Sequence, residues 1–541
     1  MKPAEKIPKK MSGISEPWIK TISLSPPSLQ DNTADADRII NALKKELHTD
    51  AIHTEFSLLK QLPDILRKWN YHVRCILVPS RGQWLLTGIA HAEDRKPFMG
   101  LAVDLGTTRV VLRLADISTG RILGESAFDN PQISVGPDIL ARIHYADTEE
   151  GLATVNRLII DGLNREIVAL CGKIRIPGPL QKADAEKGIS PQDIYLISVA
   201  GNTAMTHLFM GLNPRWIIRE PYIPVVNKPG VVKAEELGIK AANPLCRILV
   251  FPNVGSYFGG DLIAGILFSG MNTAEDTAIL VDVGTNAEVV LGNKNWLIAC
   301  AGAAGPALEG GVTKMGMMAG PGVIDKIAID PDTHEFDIRT IGNMPPKGIC
   351  GSGLIDLAAH LFLSGMLDIR GRLLPSVCGH RLKEKDNIRY LTVVPENNSA
   401  AGEELIISQT DIDSLIRSKA AMYTILETIT ASVGMSLSEL SRFYVAGTFG
   451  SFISPRSAIS IGMIPDLPPD CYKPLGNSSL GGATLALTSP ECIAEIDRIR
   501  ERITYLELNV NQDFMNRFSA AKFLPHTNPS LFPSVKIRAE N

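Results

Sequence analysis

Two stretches of this sequence share one pattern: Leu101-Ala-Val-Asp-Leu-Gly-Thr-Thr-Arg-Val-Val-Leu112 and Ile279-Leu-Val-Asp-Val-Gly-Thr-Asn-Ala-Glu-Val-Val-Leu291. Each consists of an apolar strand, the tetrapeptide Asp-x-Gly-Thr and a second apolar strand, which predicts a β-hairpin. Glycine in the turn lets backbone N–H groups approach an anion closely, and the threonine hydroxyl adds a donor. The aspartate is placed to hold Mg²⁺ through water. Two copies in matching register indicate the paired phosphate-binding turns of a duplicated nucleotide-binding fold.

Length and composition place the chain among large globular proteins. At 541 residues it exceeds what one hydrophobic core accommodates, so we expect about three or four domains. A net charge of -4, without clusters of Lys and Arg, gives no indication of a nucleic-acid partner. No apolar run approaches the ~20 residues that cross a bilayer, and no apolar core follows the basic first residues. We therefore expect a cytoplasmic protein with no nucleic-acid or membrane partner.

The cysteines are scattered along the chain. The eight thiols are Cys75, Cys171, Cys246, Cys300, Cys350, Cys378, Cys471 and Cys492. No Cys-x-x-Cys pair occurs, and no spacing matches a ferredoxin, so neither a zinc site nor an iron–sulfur cluster is encoded locally. The pattern predicts reduced and partly buried thiols.

The order of the predicted elements divides the chain into four parts. Residues 1–20 are polar and basic and are predicted to form a flexible tail. Residues 21–97 predict a small α/β module without catalytic motifs, suited to docking or spacing. Residues 98–275 and 276–541 each begin with one of the two hairpins and are predicted to form two lobes, the second with a C-terminal extension.

Several glycine-rich turns follow predicted strands. Gly201-Asn-Thr203 is either a loop that faces an anion or another domain, or a simple connection to a helix. Asp261 is placed to cap the helix Leu262–Ser269 or, alternatively, to orient Mg²⁺ or an attacking water. Gly447-Thr-Phe-Gly450 is suited to lie against an adenosine, and Gly476–Ala483 begins another helix with small residues. No stretch satisfies the P-loop or serine-hydrolase signatures.

In chain order these pieces resemble the actin, sugar-kinase and Hsp70-like ATPase superfamily: a first phosphate turn, a connecting helix, a second phosphate turn, an adenosine turn and a second connecting helix from Gly481. The resemblance implies an α/β fold, a duplicated actin/Hsp70-like (ribonuclease H-like) two-lobed ATPase that binds ATP with Mg²⁺ between its lobes.

Within that superfamily, the chain resembles the reductive activators of corrinoid proteins. The resemblance rests on Asn130-Pro-Gln, Asp282–Glu288, Ala304-Gly-Pro-Ala, Gly348–Asp356 and Gly476–Leu480, and on Tyr505–Leu508 and Phe523–His526 near the C-terminus. It implies ATP-dependent reduction of Co(II) to Co(I) on a corrinoid (cobalamin-binding) protein of a methyltransferase system. Members of the family usually carry an iron–sulfur unit, which this chain does not encode. We therefore expect a separate ferredoxin-like electron donor, and a homodimer is one open expectation for the assembly.

The resemblance also assigns roles to residues. Asp104 and Asp282 are expected to hold Mg²⁺ through water, and either Asp261 or Glu288 to orient the attacking water. The alternative for Glu288 is a solvated carboxylate at a strand end. The expected nucleotide contacts are Gly106, Thr107, Thr108, Gly284, Thr285 and Asn286 at phosphate, and Gly447, Thr448 and Gly450 at adenosine.

Three other functions share parts of this pattern. A small-molecule kinase would use the same hairpins but needs an aspartate base facing a hydroxyl substrate. An activator of a radical dehydratase also couples ATP to an electron, through a cluster held between subunits. A non-redox, chaperone-like or filament-forming ATPase is the third alternative.

Overall fold

The computed structural model describes residues 18–80, 82–94, 97–175, 189–283, 286–303, 313–400, 402–447, 453–508 and 513–536. The chain packs as two units. The first comprises the residues up to Phe268 together with Ser478–Glu501, and the second comprises Ser269–Asn477 together with the residues from Arg502 onward. The four boundaries expected from the sequence stay a prediction.

The helices and strands of the described ranges are numbered separately along the chain. The helices are α1 Asp35–Leu47, α2 Phe56–Leu59, α3 Leu62–Lys68, α4 Ile139–Tyr145, α5 Glu149–Lys173, α6 Thr203–Met210, α7 Gly260–Ser269, α8 Gly351–Leu363, α9 Pro375–Cys378, α10 Gln409–Ala431, α11 Pro455–Ser460, α12 Ser478–Thr488, α13 Glu491–Arg502 and α14 Phe514–Ala521. The strands are β1 Ile19–Ser23, β2 Ile52–Thr54, β3 His72–Ser80, β4 Gln83–His91, β5 Met99–Leu105, β6 Arg109–Asp116, β7 Arg121–Asp129, β8 Ile194–Ala200, β9 Gly230–Lys233, β10 Arg247–Val250, β11 Ala278–Val283, β12 Asn286–Gly292, β13 Leu297–Ala303, β14 Val323–Ile329, β15 Phe336–Thr340, β16 Gly348–Ile349, β17 Leu382–Lys385, β18 Ile388–Val394, β19 Leu405–Ser408, β20 Arg442–Ala446, β21 Tyr472–Gly476 and β22 Ile503–Tyr505.

The N-terminal module is a four-stranded sheet of order β1-β3-β4-β2 with its own core. Helix α1 buries Ile39, Leu43 and Leu47 at the helical spacing that the sequence shows. Trp18 precedes the first strand and is 1% exposed. Its indole N–H donates to the carbonyl oxygen of Leu487 at 2.5 Å. The module is thereby attached to helix α12 of the same unit.

The main sheet of the first unit has the order β7-β6-β5-β8-β10-β9. Strands β5, β6 and β7 form an antiparallel meander, and β8 and β10 continue the sheet parallel to β5. Helices α7 and α12 pack closely beside each other. A Cβ atom added to Gly482 would lie 2.1 Å from the carbonyl oxygen of Ala264, so glycine permits this contact.

The main sheet of the second unit has the order β21-β20-β11-β12-β13-β22. Strands β11, β12 and β13 form the antiparallel meander, and β20 and β21 extend the sheet parallel to β11. With the edge strands β9 and β22 set aside, the other five strands of each sheet, numbered along the chain, follow the spatial order 3-2-1-4-5. This repeated topology confirms the predicted α/β fold. Two three-stranded sheets, β15-β14-β16 and β17-β18-β19, add to the second unit.

Of the helices in the described ranges, none combines the length and the apolar character that crossing a membrane requires.

Candidate functional site

The first predicted phosphate turn lies between β5 and β6. The two strands pair antiparallel up to Leu105 and Val110, so residues 106–109 connect them and form the turn. A Cβ atom on Gly106 would lie 2.3 Å from the carbonyl oxygen of Arg109, well below any real contact distance. The turn therefore requires glycine at this position, as the sequence pattern predicted.

Asn130 stabilises this turn through two hydrogen bonds to its backbone. The residue is 1% exposed, and its backbone N–H donates to the carbonyl oxygen of Thr108 at 2.8 Å. Its side-chain Nδ2 donates to the carbonyl oxygen of Gly106 at 2.9 Å. Because Asn130 binds two carbonyl oxygens of the turn, the turn keeps its shape without a ligand. Such preorganisation favours the binding of an anion.

Ser479, near the start of α12, reaches the aspartate of the same turn. Its hydroxyl donates to Oδ1 of Asp104 at 2.8 Å. Ser479 is buried and Asp104 is half-buried at the end of β5. Hydrogen bonds to ionised groups are among the stronger ones in proteins, so this contact fixes the direction of the carboxylate.

The Gly201-Asn-Thr203 loop lies beside the turn. The loop follows β8, which pairs parallel to β5 and places Ala200 opposite Asp104. Nδ2 of Asn202 donates to the hydroxyl oxygen of Thr107 at 3.1 Å. Of the two interpretations that the sequence left open, this contact favours a loop that belongs to the phosphate turn.

Asp261 lies next to the same loop but does not cap its helix as expected. Helix α7 begins at Gly260, two residues before the expected start at Leu262, so Asp261 lies inside its first turn. The backbone N–H of Asp261 donates to the carbonyl oxygen of Gly201 at 3.3 Å, and its Oδ1 accepts from the N–H of Leu262 at 2.9 Å. The carboxylate is half-buried, and its role in orienting water stays a proposal.

The second predicted turn lies in the other unit, between β11 and β12. Asp282 pairs with Glu288 across the hairpin and with Ala446 on β20. Gly447 follows with a positive φ of 78°. A Cβ atom there would lie 3.2 Å from Oδ1 of Asp282. The predicted adenosine turn therefore begins beside the predicted Mg²⁺ aspartate of the same unit.

Several of the expected nucleotide contacts lie outside the described residues. Gly284 and Thr285, at the centre of the second turn, and Thr448 and Gly450, in the adenosine turn, lie outside the described residues. Asn286 opens strand β12, and its side chain is outside the described part as well.

The donor set suits Mg²⁺ bound together with a nucleotide. Asp104 offers a carboxylate that is already oriented by Ser479. Magnesium prefers oxygen ligands and is usually held by one or two carboxylates, substrate phosphates and water. Within the described ranges, no three His, Cys, Asp or Glu side chains are grouped to hold a metal. A magnesium–nucleotide complex of the expected kind requires no such group.

Three regions of a known protein family match this chain over most of its length. Residues 16–94 match the RACo linker region, residues 99–274 the RACo middle region, and residues 276–536 the C-terminal domain of RACo, the ASKHA domain. The solved structure of a reductive activator for a corrinoid, iron–sulfur protein is 36% identical and superposes with a TM-score of 0.82, covering 97% of this chain and 82% of that chain. This chain belongs to the family of reductive activators of corrinoid proteins.

Two relatives with described activities are also similar to this chain. The corrinoid activation enzyme RamQ of Eubacterium limosum is 29% identical over 511 residues, which is 93% of this chain and 82% of the relative. The [Co(II) methylated amine-specific corrinoid protein] reductase of Methanosarcina barkeri is 22% identical over 449 residues, covering 77% of this chain and 75% of the relative. Membership confirms the resemblance stated from the sequence, and the ASKHA ATPase fold implies nucleotide binding.

Three residues of the site lacked a predicted role. Asn130 and Ser479 were noted only as parts of family motifs, and Asn202 was noted as part of an ambiguous loop. Asn130 and Asn202 each donate a side-chain hydrogen bond to the first turn, and Ser479 donates one to Asp104 at the end of β5. The available signal for a role was that each is a polar residue in a short run next to glycine or proline. The sequence did not indicate their partners, because these lie far away along the chain.

Proposed function

We propose that this chain is an ATP-dependent reductive activator that returns a corrinoid protein from the inactive Co(II) state to Co(I). The observation that carries the proposal is the turn Asp104–Thr108, held in shape by buried side chains, in a chain that belongs to a family of corrinoid activators. The relatives named above are described as a corrinoid activation enzyme and a corrinoid protein reductase.

The reaction has two balanced parts. One electron passes from a donor to the cobalt of the corrinoid, which is reduced from Co(II) to Co(I). ATP and water give ADP and phosphate, with no phosphoryl transfer to the corrinoid. ATP contributes by changing the affinity of the activator for one state of its partner, since a ligand shifts an equilibrium only by its differential affinity.

The residues of the first unit take distinct roles in this proposal. The turn at Gly106, Thr107 and Thr108 presents N–H and hydroxyl donors to the phosphates. Asp104 would hold Mg²⁺ through water, and a bound Mg²⁺ would supply positive charge next to the phosphates. Asp261 orients the attacking water from the start of α7, because hydrolysis of a phosphoanhydride depends on positioning more than on a strong base.

The second unit contains the other proposed contacts of the nucleotide and of Mg²⁺. Asp282 is the second proposed water-mediated Mg²⁺ ligand, and Glu288, directly across the hairpin, is the alternative residue that orients water. The remaining proposed contacts are Gly284, Thr285 and Asn286 at phosphate, and Gly447, Thr448 and Gly450 at adenosine.

The proposed partners are a corrinoid protein of a methyltransferase system and a separate ferredoxin-like protein that donates the electron. A homodimer is the proposed assembly.

ATP turnover with a corrinoid partner tests the proposal. We expect slow ATP hydrolysis by the chain alone, stimulation by the Co(II) form of the partner, and less stimulation by the Co(I) form. Asp104→Asn should abolish hydrolysis in all three reactions. A stoichiometric phosphorylated small molecule would instead identify a kinase, and equal stimulation by unfolded peptides would identify a chaperone-like ATPase.

A further inference from the structure

Asn202 joins two structural elements of the first unit through opposite ends of its amide. Its Oδ1 accepts from the backbone N–H of Met205 at 2.9 Å and thereby caps helix α6. Its Nδ2 donates to the hydroxyl oxygen of Thr107 at 3.1 Å. Because Met205 can only donate at this position, the cap fixes which end of the amide faces Thr107.

The orientation of the amide decides what the Thr107 hydroxyl can do. A hydroxyl has one hydrogen and two acceptor sites. Since Asn202 offers only N–H groups on this side, the Thr107 oxygen accepts, and its own hydrogen points elsewhere. Thr107 is half-buried in the turn where the proposed function places phosphate. The hydrogen is therefore available to a phosphate oxygen.

The backbone around Asn202 leaves it little freedom to move. A Cβ atom on Gly259 would lie 2.4 Å from the Cα of Asn202, and one on Gly201 would lie 2.9 Å from the carbonyl oxygen of Leu105. Both glycines thus permit the close packing of three segments. The hydroxyl of Thr206 also donates to the carbonyl oxygen of Asn202 at 3.1 Å.

We infer that Asn202 is a positioning residue for ATP binding: it acts through Thr107 by keeping the Thr107 hydroxyl as a donor to a phosphate. The choice of ATP as the ligand rests on the proposed function. Asn202 itself need not touch the nucleotide. Its effect should therefore disappear when the Thr107 hydroxyl is removed.

A double-mutant cycle on the full chain tests this, with the dissociation constant for ATP measured by calorimetry with and without Mg²⁺. Asn202→Ser keeps a cap acceptor without adding charge and loses the N–H donor. Thr107→Val keeps the shape of threonine and loses the hydroxyl. We expect each single variant to bind ATP about three- to tenfold more weakly, the range of one neutral hydrogen bond. In the Thr107→Val background, Asn202→Ser should change the constant by less than about twofold.

Asn156→Ser is the matched control. Nδ2 of Asn156 donates to the carbonyl oxygens of Leu208 and Phe209, at the opposite end of the same helix. This variant should bind ATP like the wild type, although it also loses contacts to α6.

Each failure has a separate meaning. No ATP binding by the wild type would overturn the proposed function. Normal ATP binding by Thr107→Val would overturn the phosphate contact of Thr107. Equal losses from Asn202→Ser in both backgrounds would show that Asn202 acts by another route and would overturn the inference.

Discussion

The hydroxyl of Ser479 donates a hydrogen bond to a carboxylate oxygen of Asp104 at 2.8 Å, across 375 positions of the chain. The contact joins the start of the second connecting helix to the first phosphate turn. Both residues belong to the same packed unit. The direction of the Asp104 carboxylate therefore depends on a residue of a distant segment.

Removal of this hydroxyl should weaken magnesium-dependent turnover. Hydrogen bonds to charged groups contribute about 1.5–3 kcal/mol, so Ser479→Ala should lower kcat/KM for ATP about tenfold or more. The concentration of Mg²⁺ at half-maximal activity should rise, because the carboxylate is less well oriented. Steady-state ATPase assays over a Mg²⁺ titration measure both.

Thr488→Val is the control for Ser479. The Thr488 hydroxyl bonds to the Thr484 carbonyl oxygen within the same helix at 3.1 Å. Its loss should leave the Mg²⁺ dependence unchanged. A wild-type Mg²⁺ titration for Ser479→Ala would contradict the role assigned to this contact.

Gly106→Ala should abolish ATP binding, because the added Cβ meets the backbone oxygen of Arg109 at 2.3 Å and the turn must change shape. Gly172→Ala near the end of α5 is the comparison, since a Cβ there has no neighbour within 4 Å. We expect that variant to bind ATP normally and to be as stable as the wild type or up to about 1 kcal/mol more stable. Calorimetry and thermal unfolding measure the two effects. Normal ATP affinity of Gly106→Ala would exclude this turn as a phosphate site.

His207 should make the first unit less stable in mild acid. Its side chain is 0% exposed, Nε2 accepts from the Val225 N–H at 3.1 Å, and Nδ1 donates to the Thr203 carbonyl oxygen at 2.6 Å. Burial lowers the pKa of His207 below its usual 6.5. Below that pH the unfolded chain binds the proton and the folded chain does not, so stability falls as the pH falls.

The variant His207→Gln tests this linkage. Its free energy of unfolding should be lower than that of the wild type at pH 7.5. Between pH 7.5 and 5, however, it should decline less steeply than in the wild type. Chemical denaturation at a series of pH values measures the slope, and an equal slope in the two proteins would contradict the prediction.

The cysteines should react slowly with thiol reagents in the folded protein. All eight are free, and all except Cys471 are buried. Burial raises the pKa of Cys75, Cys300 and Cys492 to about 12, so these groups stay as unreactive thiols. We expect rapid labelling of one thiol per native chain and of all eight in denaturant. Cys471→Ser should remove the rapid phase, and rapid labelling of several thiols would contradict the described packing.

The sequence predicted the parts of the site that depend on neighbouring residues. The two hairpins are encoded by a local pattern of strand, Asp-x-Gly-Thr and strand, so their strands and the need for Gly106 were accessible. The second connecting helix was accessible as well, because small residues in succession indicate close packing, although it begins at Ser478 and not at the expected Gly481. These predictions required no knowledge of distant contacts.

The sequence could not predict contacts between distant segments. The bonds from Ser479 to Asp104 and from Asn202 to Thr107 depend on the pairing of β8 with β5 and on the packing of α12. The start of α7 was expected at Leu262 but lies two residues earlier, at Gly260, for a related reason. A Cβ on Gly260 would lie 2.5 Å from the Cβ of Phe251. Gly260 is therefore a close-packing position of the helix, whereas the sequence suggested a turn residue before it.

The central claim is that this chain uses ATP to reduce a corrinoid, and an anaerobic absorbance assay tests it most directly. A Co(II) corrinoid protein is mixed with a one-electron reductant, with and without ATP and with wild-type protein or Asp104→Asn. The claim predicts a Co(I) band that requires ATP and the wild-type protein together and is absent with the variant. ATP hydrolysis without any Co(I) band, across several corrinoid partners, would contradict it.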